Sequence, residues 1–162
     1  MNTDQDRHGP RRGWLRAGLL ILAATVLQAG FWALLFPRAF YDDFPFSGWD
    51  WVSTLGAYNG HLVRDYGAMN LAMCFLLVAA IFLERRLSQV ALGTLLVFAV
   101  PHFAFHLTEI QHFSPFQNAA QFGGLGLQIL LPSVLLTLTG RRGDPKTLGH
   151  VEHTESCLKV DG

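Results

Sequence analysis

Four stretches of this chain, residues 17–36, 67–83, 87–107 and 119–138, run without a single Lys, Arg, Asp or Glu, and nothing else in the sequence constrains the fold as much. A helix needs about 20 apolar residues to cross the hydrocarbon core of a bilayer, and these runs come close to that length. A charge at the centre of such a run would cost roughly 2.5–3.5 kcal/mol on insertion, so its absence from all four is the pattern of membrane-spanning helices. The second run is the shortest and reaches full length if its helix starts within residues 61–66. Charged residues make up 15% of the chain, below the roughly 25% of soluble globular proteins, which agrees with lipid as the solvent. The fold class expected is therefore all-α: a polytopic membrane protein built as a four-transmembrane-helix bundle over residues 14–140, with an aromatic outer loop. The 162 residues leave no room for a soluble module beside it.

Basic residues near the ends of the spans set an orientation. Arg7, Arg11, Arg12 and Arg16 precede the first run, Arg85 and Arg86 separate the second from the third, and Arg141, Arg142 and Lys146 follow the fourth. These regions are expected in the cytoplasm, with both termini, in a cell (inner) membrane. The other two connections face outward: residues 38–66 set Asp42, Asp43, Asp50 and Asp65 against Arg38 and Arg64, and residues 108–118 hold only Glu109. The basic start followed by an apolar run is similar to a twin-arginine export signal. The run continues to Phe36 without a small-x-small cleavage site, so a retained anchor is expected.

The segments 1–13 and 141–162 are polar, of mixed charge, and expected to be disordered. The tail carries His150, Glu152, His153 and Cys157, metal-ligand types that nothing there holds in a tetrahedral arrangement. Cys74 lies in an apolar run and Cys157 in the tail, so no disulfide is expected. A formal net charge of zero lacks the basic face a nucleic acid requires. The expected partners are the bilayer, other membrane subunits or further copies of the chain.

The outer loop interleaves Phe40, Tyr41, Phe44, Phe46, Trp49, Trp51 and Tyr58 with Asp42, Asp43 and Asp50. Aromatic rings favour the headgroup level, which makes this loop either an interfacial anchor or a lid over the mouth of the bundle. At the same level the topology places four histidines: His61, His102, His106 and His112. On a helix His102, His106 and Glu109 share one face, a spacing that suits a metal ion or a haem. His61 and Asp65 repeat the four-residue step, with Arg64 between them. Pro101 removes a backbone donor and frees the carbonyl of Val97. Gln28, Asn70, Gln121 and Gln128 are uncharged polar groups inside spans and are expected to point inward. Gly123, Gly124 and Gly126 are expected to let the fourth span approach a neighbour closely.

The step Arg64, Asp65, Gly67, followed by Asn70, at the opening of the second span resembles the DoxX-like group of small four-span bacterial membrane proteins, over roughly residues 15–139. The resemblance implies the four-span architecture and an association with redox or quinone-linked membrane complexes. A thiol mechanism does not carry over, because no cysteine pair is present. The residues support a polar pocket that binds a metal ion, a haem or a quinone-like headgroup through His61, Arg64, Asp65, Asn70, Gln121 and Gln128, with His102, His106 and Glu109 as candidate metal ligands. A structural or accessory subunit, in which the same groups act as interhelical glue worth roughly 0.6 kcal/mol each, is the alternative. Four spans without an inverted repeat disfavour a transporter. No Gly-x-Ser-x-Gly, His-Glu-x-x-His or phosphate-cradling loop assigns a reaction.

Overall fold

In the computed structural model, which describes residues 9–83 and 85–140, the chain forms five α-helices: α1 Gly9–Leu35, α2 Pro37–Asp43, α3 Gly60–Phe82, α4 Arg85–Thr108 and α5 Pro115–Gly140. No strand occurs among the described residues. Four of these helices are long and apolar enough to cross a bilayer, at Arg11–Leu35, Gly60–Phe82, Arg85–Thr108 and Pro115–Thr139. The chain is a multi-pass integral membrane protein. Large apolar side chains such as Phe75, Phe82, Val97 and Leu130 stand exposed around the bundle, where lipid rather than water is their natural solvent.

Helix boundaries follow local chemistry. Asn59 caps α3 with its side-chain oxygen, which accepts from the backbone N–H of His61 and of Leu62, each at 3.1 Å. That cap starts the second span at Gly60 and supplies the turn the apolar run lacks by itself. Ser114 and Gln117 form a capping box at α5: the Ser114 hydroxyl accepts from Gln117 N–H at 3.3 Å, and Gln117 Oε1 accepts from Ser114 N–H at 3.0 Å. At the other terminus α1 already begins at Gly9, inside the segment expected to be disordered, with Pro10 tolerated in the first turn where its missing donor is not needed. The tail residues from 141 onward, including His150, Glu152, His153 and Cys157, lie outside the described residues.

Each span buries one stripe. On α1 it is Leu19, Leu22, Val26, Ala29 and Ala33; on α4 it is Ser88, Leu92, Leu95 and Ala99. Steps of three and four keep each stripe on one face of a 3.6-residue helix. The most extensive contact joins α1 to α3, and the next joins α4 to α5. Glycine makes the first of these possible. A Cβ on Gly67 would stand 2.5 Å from Leu34 N and 2.9 Å from Leu34 Cα, and one on Gly30 would stand 3.0 Å from Gly67 O. The α1 and α3 backbones therefore touch at this crossing, as small residues allow between membrane helices. Gly123, Gly124 and Gly126, expected to play that part, have nothing within 4 Å of where a Cβ would sit. The close approach belongs to the other half of the bundle because α5 has no facing backbone at those positions.

The core is filled unevenly along the bundle axis. Near the end carrying Arg11, Arg12, Arg85 and Arg86, residues Leu22, Leu77, Leu92, Leu95 and Leu135 pack into one cluster, and Gly18 accommodates Leu135. Gln89 Nε2 donates to Thr139 O at 3.2 Å and Ser88 Oγ to Ala80 O at 3.2 Å, tying the same end together. At the opposite end a second, aromatic cluster centres on Phe40 of α2, with Ala29, Ala33, Val63, Trp32, Phe44 and Tyr66 around it. Beside this second cluster the bundle is hollow, and the hollow is partly open.

Candidate functional site: a capped cavity

The hollow is a cavity of about 600 Å³, within the size range of sites that hold small organic ligands. All four spans and the loop between α2 and α3 contribute to its wall. Most of the lining is apolar. No Lys, Arg, Asp or Glu lines it; its polar groups are Thr25 and Gln28 on α1, Tyr66 and Asn70 on α3, His102 and His106 on α4, Gln121 and Gln128 on α5, and the indole of Trp51.

His102 and His106 reach the cavity because they continue the buried stripe of α4, Ser88, Leu92, Leu95 and Ala99, in steps of three and four. The His102 ring stacks on Phe98 with centroids 5.2 Å apart, and His106 stands edge-on to it at 4.8 Å. Helix α4 stays helical through Pro101, so the spacing is preserved. Gln121, 2% exposed, approaches His106 from α5. Neither His106 Nδ1 nor Gln121 Nε2 has a hydrogen-bond partner, and both atoms are buried. Asn70 differs: its Nδ2 donates to Tyr66 O at 2.9 Å, one turn back on its own helix. Gln128 is half-buried in the wall, whereas Gln28, expected to point inward, lines the cavity from an exposed position at the edge of the α1 stripe.

The remaining sequence candidates lie elsewhere. His61, Arg64 and Asp65 are exposed at the loop end of α3 and do not line the cavity. The buried face of α3 is Val63, Gly67, Asn70, Cys74 and Leu77, and positions 61 and 65 sit two residues off it, about 200° around the helix. His61 Nδ1 lies 2.6 Å from Asp65 Oδ2, and Arg64 Nη1 donates to Gly60 O at 3.1 Å, so this group closes on itself. Glu109 meets His112 Nδ1 at 3.1 Å. Among the described residues no three His, Cys, Asp or Glu side chains are arranged to hold a metal ion.

The aromatic loop, expected as an interfacial anchor or a lid, packs against the end of the bundle that holds the cavity. Trp32, Phe40 and Phe44 meet edge-on or tilted at centroid distances of 4.6–6.1 Å and seat α2 on the end of α1. Arg38 is held by Asp42 at 2.6 Å and lies over the rings of Tyr41 and Tyr58. The hydrogen bond and charge of Asp42 push the Arg38 guanidinium pKa above its ordinary value. The Tyr41 hydroxyl donates to Gly56 O, closing the loop. At Asp50 the backbone takes a left-handed φ of 53°, which Asp tolerates better than most residues. The two neighbouring indoles flank that turn with centroids 5.4 Å apart and reach different partners. Trp49 goes to the α5 side, 5.6 Å from the Phe116 ring, and accepts at its carbonyl from Gln117 Nε2 at 3.2 Å. Trp51 goes to the cavity, where its Nε1 is buried and without a partner. Trp51 is the site residue that spacing arguments do not reach, because its position depends on this turn.

No protein-family model, curated protein or solved structure matches this chain. The site therefore has to be read from its own geometry.

Proposed function

We propose that this protein is a membrane-embedded binding bundle for a small, lipid-soluble ligand with a polar head, of the quinone-like type, rather than a carrier of a bare metal ion. The observation that carries this reading is a pair of buried, unpartnered atoms, His106 Nδ1 and Gln121 Nε2, in two residues that line one mostly apolar cavity. An unmade hydrogen bond on a buried polar atom costs about 1–3 kcal/mol, and a ligand that makes it recovers that cost. The apolar remainder of the wall suits a ring or short hydrocarbon body. A metal reading is the weaker one, since His102 and His106 bring no third ligand with them while Glu109 is engaged by His112.

In the orientation we propose, the arginine end faces the cytoplasm and the capped end faces outward across a cell membrane, because Arg11, Arg12, Arg16, Arg85 and Arg86 all lie at one end. The resemblance to DoxX-like proteins rests on Arg64, Asp65, Gly67 and Asn70. Of these, Gly67 serves the α1–α3 crossing and Asn70 bonds its own helix, so that step speaks for architecture more than for chemistry.

The test is organic extraction and mass spectrometry of the protein purified in mild detergent, beside a Gln121→Leu variant that inserts equally well, with metal analysis and a visible spectrum on the same samples. A neutral lipophilic compound at near one per chain, lost in the variant, is the expected result. Stoichiometric metal or a Soret band would replace this reading with a metallocofactor. A wild-type protein free of both would leave the role of an accessory subunit.

A further inference from the structure

A third residue lining the cavity carries an unpartnered polar atom, and it comes from the loop rather than from a span. Trp51 Nε1 is buried and lacks a hydrogen-bond partner, as Gln121 Nε2 does, and both residues line the same cavity. An indole N–H is a donor only, and the amide nitrogen of Gln121 is a donor only. Resting on the ligand reading above, we infer that Trp51 and Gln121 form a donor pair that selects an uncharged ring compound bearing oxygen acceptors. The chemistry of the wall fixes that class. A ligand whose polar end only donates would leave both donors unmade. An anion would bring an unpaired charge into a site lined by no Lys or Arg, which is far more costly than an unmade hydrogen bond. Aromatic faces from Phe44, Phe98 and Tyr66 border the space and suit a flat ring.

The loop position gives Trp51 a second part. Trp51 follows the left-handed turn at Asp50 and its ring stands 5.4 Å from that of Trp49, so its place is tied to the seat of the loop, the Gln117–Trp49 hydrogen bond together with the Trp49–Phe116 contact. The oxygen-bearing ligand and the closed loop therefore favour one another through the same N–H.

The experiment uses the full chain in lipid nanodiscs with 15N-labelled tryptophan, the Trp51 indole resonance being assigned from a Trp51→Phe variant. Three probes of similar shape are compared: duroquinone, with two carbonyl oxygens, durene, with none, and tetramethylbenzoate, an anion. The expected result is a downfield shift of the Trp51 indole proton with duroquinone alone. Duroquinone affinity should fall about tenfold in both Trp51→Phe and Gln121→Leu, while any durene binding stays unchanged. Equal binding of duroquinone and durene, unaffected by Trp51→Phe, would overturn the donor pair while leaving a cavity that takes apolar ligands. Tight binding of tetramethylbenzoate would overturn the requirement for an uncharged ligand. If no probe perturbs any cavity resonance, both this inference and the ligand reading beneath it fail.

Discussion

A methyl group at position 67 has nowhere to go, since it would meet the backbone of α1 and not a side chain able to turn aside. Gly67→Ala is therefore expected to lower the thermal midpoint in detergent, at the roughly 1–3 kcal/mol typical of overpacking, as read by fluorescence-detected size exclusion after heating. Gly123→Ala, facing open space, should leave the midpoint unchanged or raise it slightly, because alanine is the better helix former by about 1 kcal/mol. Equal losses in the two variants would refute the crossing as described. The same contrast shows what single residues disclose in a sequence. Glycines are visible, but which one faces a neighbouring backbone depends on which helices pair, and that is a tertiary fact. His102 and His106 were readable as groups on one helix face because four-residue spacing survives into any helix. His61 and Asp65 have that spacing too, and only the position of the α3 stripe two residues away puts them outside the cavity.

At the scale of elements, the spans were legible because uncharged runs of bilayer length have few other uses, and the start of α3 was legible to within a turn. Helix α2 was not. Its seven residues carry no periodic signal of their own, and they are helical because Pro37 opens the turn and Phe40 finds a buried seat against Trp32 and Tyr66. The cap is held to α5 by the side chain of Gln117, which serves its own helix through one atom and the loop through another. Gln117→Glu keeps an acceptor for the Ser114 N–H and loses the donor to Trp49 O. Amide exchange across residues 44–55 should accelerate severalfold in this variant while α5 remains protected, by hydrogen-exchange mass spectrometry. An unchanged exchange rate would mean that the aromatic contacts alone hold the loop. Asp50→Val, which places a β-branched residue at a left-handed φ at a cost of about 1–2 kcal/mol, should move the Trp51 indole out of the cavity and shift its fluorescence to the red.

The molecule as a whole is two helix pairs, α1 with α3 and α4 with α5, meeting across a cavity and sealed at the arginine end. Two separately encoded pieces, one ending at Leu83 and one beginning at Arg85, should therefore assemble when co-expressed and co-purify through a tag on either piece. Failure of the pieces to associate, with each inserted, would show that the short α3–α4 connection does more than join. Single cysteines placed at the exposed positions Ser47 and Leu83, in a chain whose own cysteines are replaced, should react with an impermeant maleimide from outside whole cells at the first position and not at the second. The reverse pattern would invert the orientation. The glycine crossing also sets a timetable for synthesis. Gly30 leaves the ribosome roughly 40 residues before the Gly67 that covers it, an interval of about 2–8 s at ~5–20 residues per second. During that interval the first helix is a lone guest of the insertion machinery, its bare backbone groove open to whatever helix happens to be passing.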